Sequence, residues 1–295
     1  MTRELWTVIL AAGAGRRLAP VTGATPKQFW KRGLAPSLLE DTVARMAPLA
    51  PPDRTLIVVD RNHVDHLHTH HRLEDEARIL FQPCDRGTAA GVRFVIEPVL
   101  HQDPTAVVVL TPSDHGVADE ARFRRGILET ARFVRRHGGI VLFGVTPDSG
   151  DDDYGWVIKD GQVPGAPHLS RVVHFVEKPP RRQAEALMAS GAIWNTMVLV
   201  ARARDLEHLF LTTTPELATR FADGRHLRSE EQHAFFDAAY GRMPVRDFSH
   251  HVLTPAPDLL VYQWPASIGW SDLGTPERLA RWHTHHSPTL RAGAA

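Results

Sequence analysis

The chain has 295 residues with 34 basic and 34 acidic side chains and 43% hydrophobic residues, enough apolar content for a sizeable core and too much for global disorder. A formal net charge of zero gives no basic footprint for duplex nucleic acid, and a single cysteine, Cys84, excludes a disulfide framework or a cysteine zinc site. The apolar run Leu5–Ala12 is too short for a membrane span and lacks the leading charge and cleavage site of a secretory signal, so a cytoplasmic location is expected.

Short β-branched runs alternate with helical spacing from the start. Leu5–Ala11 reads as a buried strand, Leu38–Met46 as a helix and Leu56–Asp60 as a second strand. Thr88–Val99 has helical character, Ala106–Leu110 is a third strand, Phe123–His137 a helix and Ile140–Val145 a fourth strand. Near-continuous Val/Ile/Leu runs suit strands covered on both faces, and their alternation with helices predicts an α/β fold with a doubly wound, mostly parallel sheet. Tyr154–Lys159, Val172–Val176 and Met197–Val200 read as further strands. Arg204–Arg220, Glu230–Ala239 and Pro276–His285 read as helices, and 286–295 as a frayed polar tail. No repeat or low-complexity linker divides the chain. One domain is expected, with a nucleotide-binding half at about 1–150 and a second half at about 151–285.

Gly13-Ala14-Gly15-Arg16-Arg17-Leu18 follows the first strand. Glycines there let the backbone turn tightly and aim amides at phosphate oxygens, while Arg17 and Lys27 supply positive charge. The spacing is neither a P-loop, which needs GxxxxGK[ST], nor a dinucleotide fingerprint, which needs glycine where Leu18 stands. Taken alone, the loop is as well explained by a plain strand-to-helix turn. Asp114, after the strand Ala106–Leu110, occupies the strand end where open α/β sheets bind ligands, and a helix N-cap is the competing explanation.

From Leu10 to Pro20, followed by Pro26-Lys27-Gln28-Phe29, the chain resembles the sugar-phosphate nucleotidyltransferases, most closely the mannose-1-phosphate guanylyltransferase branch, with its LAGGxGTRLxP and PKQF blocks. Further blocks match in the same order: Gln82–Ala90, Pro112-Ser113-Asp114-His115, Tyr154-Gly155-Trp156-Val157, Phe175–Pro179, Trp194-Asn195-Thr196 and Gly269–Gly274. The resemblance implies a Rossmann-like fold related to GT-A proteins. It also implies transfer of a nucleotidyl group, from GTP in this branch, to mannose-1-phosphate, giving GDP-mannose and pyrophosphate. Thymidylyl or uridylyl transfer to glucose-1-phosphate and a catalytically weak regulatory paralogue are the alternatives.

Carried over residue by residue, the resemblance assigns nucleotide binding to Ala11, Ala12, Gly13, Gly15, Gln82, Gly87, Thr88 and Ala89. It assigns the sugar phosphate to Gly155, Glu177, Lys178, Trp194 and Asn195, and catalysis to Arg17, Lys27, Asp114, Lys178 and Asp272. Asp114 and Asp272 would hold Mg²⁺, or another divalent cation. Three departures stand out. Arg16 replaces a threonine, Met197 replaces the glycine of W-N-[ST]-G, and the β-helical C-terminal extension of such proteins is expected to be absent, leaving a homodimer as an open possibility. Asp247 lies in a loose match and carries little weight. The histidines at 63, 66, 68, 70 and 71 read as decoration of an exposed segment, and Asp151-Asp152-Asp153 as a solvated loop.

Overall fold

A computed structural model describes residues 5–70, 72–224 and 229–286, so all of the expected tail beyond His286 lies outside the described residues. Eleven strands are present among them: β1 Leu5–Leu10, β2 Thr55–Asp60, β3 Arg78–Gln82, β4 Val107–Pro112, β5 His115–Val117, β6 Ile140–Val145, β7 Gly155–Val163, β8 Ala166–Glu177, β9 Ile193–Arg202, β10 Leu260–Trp264 and β11 Trp270–Asp272. Nine form one sheet in the order β3-β2-β1-β4-β9-β6-β10-β8-β7, and β11 pairs with β5 in a separate ribbon.

The expected α/β class holds, with its parallel character concentrated in the first half. β3, β2, β1 and β4 run parallel, as do β6 and β10. β9 is inserted antiparallel between β4 and β6, and β7, β8 and β10 continue as antiparallel neighbours. Continuous apolar strands serve both faces of the first half. Val8, Leu56, Val58, Val108 and Leu110 pack with the helix Thr88–Gln102, while Ile9, Ile57 and Val59 pack with Leu39 and Val43 of the helix Leu38–Met46.

Local chemistry sets the helix ends. Ser37 accepts from the Glu40 amide at 3.2 Å while the Glu40 carboxylate accepts from the Ser37 amide at 2.7 Å, a reciprocal capping box that starts Leu38–Met46. Asp119 caps the helix Glu120–His137, which therefore begins at Glu120 rather than at Phe123. The single helix expected over Arg204–Arg220 is two, Ala203–Thr213 and Pro215–Gly224, because Pro215 lacks the amide a continuous helix needs and suits only a first turn.

One irregularity matters for the site. Leu142 of β6 pairs with Leu199 of β9, yet Gly144 pairs with Asn195, so β9 carries extra residues that bulge around Thr196 and Met197. Thr196 Oγ1 donates to the Phe143 carbonyl at 2.7 Å and accepts from the Val198 amide at 3.3 Å, which closes the bulge with hydrogen bonds.

Candidate active site

The loop after β1 is built from the chain that follows it. Gly15 has φ +64, and a Cβ there would lie 3.0 Å from Lys27 Cγ, so the position needs glycine both for its backbone and for the close passage of Lys27. Gln28, fully buried, donates from Nε2 to the carbonyls of Ala11 (2.7 Å) and Gly13 (3.1 Å). The Pro26–Phe29 segment thus folds back and ties the loop down. Phe29 is in turn packed by His63, His66 and His70 at ring distances of 5.5–6.0 Å. His70 is buried, so part of the histidine-rich segment is a support for this anchor rather than surface decoration.

Lys27 projects from that anchor into a buried ion pair with Asp114. Burial alone would lower the ammonium pKa. The charge of Asp114, its hydrogen bond and the charge of Asp272 outweigh burial and raise it. For Asp114, burial pushes the carboxyl up, but the charge and hydrogen bond of Lys27 more than compensate and hold it below the ordinary carboxylate value.

Asp114 sits between β4 and β5, with the Ser113 amide donating to the Leu10 carbonyl at 3.1 Å. The β5–β11 ribbon places Asp272 opposite His115, and the Leu273 amide donates to the Asp114 carbonyl at 3.0 Å. Two carboxylates distant in sequence thereby meet at one cavity. Arg278 Nη1 donates to Asp272 at 3.0 Å and Nη2 to Asp151 at 2.5 Å, and its guanidinium lies 4.4 Å from the Tyr154 ring centre. Arg17 Nη1 donates to Asp153 at 2.8 Å. Asp151 and Asp153 are therefore engaged with the site's cations, contrary to the expectation of a solvated loop.

His115 is buried, and burial outweighs the pull of Asp114 and Asp272 to lower its pKa, leaving a neutral ring. Trp270 Nε1 donates to His115 Nδ1 at 3.3 Å, which puts the ring proton on Nε2.

Two cavities adjoin here. The larger, about 520 Å³, is lined by Ala12, Gly13, Arg17, Lys27, Gln82, Gly87, Thr88, Asp114 and Asp272 among others. The smaller, about 170 Å³, is lined by Gly155, Glu177, Lys178 and Asn195. Arg17, Thr88, His115, Met197, Asp247 and Asp272 line both. Gly155 lies against Glu177, where a Cβ would come within 2.7 Å of its carboxylate. Burial raises the Glu177 carboxyl and Asp247 adds to the rise, with Lys178, whose Nζ is 3.5 Å away, pulling the other way.

Four expected site residues stand elsewhere. Ala11 and Ala89 are buried behind the cavity wall, and the Ala89 amide is already bound to the Arg246 carbonyl at 3.0 Å, so neither lines the larger cavity. Gly15 is also off that wall, because Lys27 passes across it. Trp194 stacks on Tyr154 at 4.3 Å and lines a third cavity of about 340 Å³ with Arg278 and the acidic loop. Asp247, discounted in the sequence, is central: its carboxylate accepts from Thr88 Oγ1 at 3.1 Å and from the His250 amide at 2.8 Å. Its loose motif was the only signal, and the fold, not the spacing, brings it to the wall.

Among the described residues, no cluster of three or more His, Cys, Asp or Glu side chains encloses a metal. Asp114 and Asp272 nevertheless give two hard oxygen donors in one cavity, the donor set Mg²⁺ takes when phosphate and water complete its shell.

Fold and site together define an α/β protein with a cavity lined by cations and carboxylates at the carboxyl ends of its parallel strands, where such sheets bind ligands. The chain belongs to the nucleotidyl transferase family, whose profile matches residues 6–287. It is 29% identical over 293 residues to the alginate biosynthesis protein AlgA of Pseudomonas putida, covering 94% of this chain and 57% of that one. It is 28% identical over 290 residues to the mannose-1-phosphate guanylyltransferase ManC of Salmonella typhimurium, covering 92% and 58%. The chain thus spans little more than half the length of these relatives. A solved structure from Thermus thermophilus, described as a mannose-1-phosphate geranyltransferase, superposes with a TM-score of 0.81 at 25% identity, covering 92% of this chain and 76% of that one. Among the described residues, no helix is long and apolar enough to cross a membrane.

Proposed function

We propose that the chain transfers a nucleotidyl group from GTP to mannose-1-phosphate, releasing pyrophosphate and forming GDP-mannose. The observation that carries this reading is the pair of adjoining cavities whose common wall holds Arg17 and Asp272, with Lys27 and Asp114 beside it in the larger. A triphosphate in the larger cavity and a sugar phosphate in the smaller would meet at that wall. The acceptor phosphate is already anionic and needs no general base, so alignment and charge neutralisation carry the rate. Lys27 and Arg17 would offset charge building on the α-phosphate and the departing pyrophosphate, Lys178 would hold the acceptor phosphate, and Glu177 and Asn195 would bind sugar hydroxyls. Gly13, Gly87 and Thr88 would border the triphosphate, and Gln82 the base.

Asp114 and Asp272 would hold Mg²⁺, which when bound supplies Lewis-acid neutralisation of the phosphates. Lys27 must then shift from Asp114 toward the nucleotide, and Arg17 from Asp153, both exchanging a carboxylate for phosphate oxygens. The first half acts on the nucleotide and the second on the sugar within one domain. A cytoplasmic setting suits the lone free thiol, Cys84.

The test is pyrophosphate release with Mg²⁺, GTP and mannose-1-phosphate, run beside the other common nucleotides and hexose 1-phosphates. Turnover confined to the GTP and mannose-1-phosphate pair, abolished by Asp272→Ala, supports the reading. Turnover with another pair keeps the chemistry and discards the substrate, while nucleotide binding without turnover on any pair overturns the enzyme in favour of a regulatory binder.

A further inference from the structure

Met197 has φ +58, a left-handed conformation that costs a side chain with a Cβ and is free to glycine. It stands on the β9 bulge, a device that re-aims a side chain out of the sheet pattern and commonly lies beside active sites. The side chain it carries lines both cavities, where Ser249 Oγ lies 3.1 Å from Met197 Sδ, its hydroxyl shared between that sulfur and the Glu177 carboxylate. Ser249 is itself buried and opens a π-helical turn, Ser249–Leu253, a rare geometry that recurs at functional sites. Strained backbone, a bulge closed by Thr196 and a hydrogen-bonded sulfur all serve to put one thioether at the boundary of the smaller cavity. Met197 is only partly buried: it packs against the edge of the core on one side and faces the cavities on the other. Strain kept at a ligand wall points to a role in recognition.

We propose that Met197 is the specificity-determining residue for the acceptor. Its side chain stands on the wall shared by the smaller cavity, of about 170 Å³, and the larger one, and so selects sugar 1-phosphates that present only hydroxyl groups to that wall over those presenting an acylamino substituent. This rests on the acceptor site assigned above. A steric wall of this kind discriminates by about 10- to 200-fold, and the ratio of kcat/KM for mannose-1-phosphate over N-acetylglucosamine-1-phosphate, each with GTP, measures it.

Met197→Gly opens the wall and relaxes the backbone. The ratio is expected to fall at least about tenfold, mainly by a gain on the acetamido sugar, with Met197→Ala intermediate. Ser249→Ala, which frees the sulfur but leaves the side chain, narrows the ratio by less than Met197→Ala. A merely structural role would lower both acceptors alike and leave the ratio unchanged, and that result in folded Met197→Gly and Met197→Ala overturns the proposal. Calorimetric Kd values for the two sugar phosphates read the same ratio without turnover. Should the unmodified protein turn over neither acceptor, the proposed activity fails while the Kd ratio still decides the role of Met197.

Discussion

The two halves of the molecule build their binding walls by different means. In the first half, parallel strands β1 and β4 end side by side, and the groups facing the larger cavity come from the turns that leave them: Gly13 and Arg17 after β1, Asp114 after β4. Here the backbone follows from strand geometry, and precision comes from buried polar bonds such as Gln28 to Ala11 and Lys27 to Asp114. In the second half the walls are the antiparallel strands themselves, with Gly155 and Glu177 paired in register on β7 and β8, while two further lining residues take left-handed backbone. These are Lys178 at φ +44 and Met197 at φ +58. The first half is fixed by a buried ion pair and hydrogen bonds, whereas the second places two of its lining residues in left-handed backbone.

The largest effect tests the charge in the first half. Asp114→Ala leaves the Lys27 ammonium buried without its main partner, which should cost about 3–5 kcal/mol in urea denaturation and abolish measurable turnover. Lys27→Met should cost a similar amount by stranding Asp114. Lys27→Met combined with Asp114→Leu should recover much of the stability and none of the activity, since a buried pair replaced by apolar groups of like size is near neutral. Recovery of stability alone would show that the pair is kept for chemistry.

Next in size is the loop anchor. Gln28→Ala removes two hydrogen bonds to the Ala11 and Gly13 carbonyls, each worth about 1 kcal/mol. The KM for nucleotide should rise roughly tenfold, the scale of about 1.4 kcal/mol, with little change in the KM for sugar phosphate. An equal rise in both would mean that the loop serves the whole cleft rather than the nucleotide side.

These two halves were unequally legible in the sequence. Leu38–Met46 and Ile140–Val145 were bounded as the structure has them, because a capping serine and an uninterrupted buried run are local signals. The strands β3, β5, β10 and β11 were not read: β3 is a half-exposed edge whose apolar run is only Ile79-Leu80-Phe81, and β5 and β11 have three residues each and pair with each other. The same ribbon brings Asp272 to Asp114, so their meeting could be anticipated by resemblance but not by spacing. Asp247 and Arg278 escaped for a related reason, since each acts through partners more than a hundred residues away. Trp194 lines the third cavity rather than the smaller one, since a motif gives the residue and not the face it turns to.

The smallest effect is a pH dependence in the second half. Glu177 titrates above its ordinary value because burial disfavours the carboxylate. The folded protein therefore binds this proton more tightly than the unfolded chain. Its contribution to stability is fully present below the unfolded value of about 4.3 and is lost as pH rises through the folded value. Asp114 behaves oppositely, since its folded pKa is depressed: its contribution is present above about 3.9 and is lost only as pH falls through the lower folded value. Between pH 5 and neutrality the first half's pair should thus hold constant while Glu177 erodes stability. His115 works the other way, since its lowered pKa adds stability as pH rises through the unfolded value of about 6.5. Glu177→Gln should therefore turn the slope of urea midpoint against pH upward between pH 5 and 7.5, and Asn195→Ala, which leaves the carboxyl in place, should not. A slope that Glu177→Gln leaves unchanged would assign the titration to another group and would remove the electrostatic contrast between the two walls, leaving backbone strain as their difference.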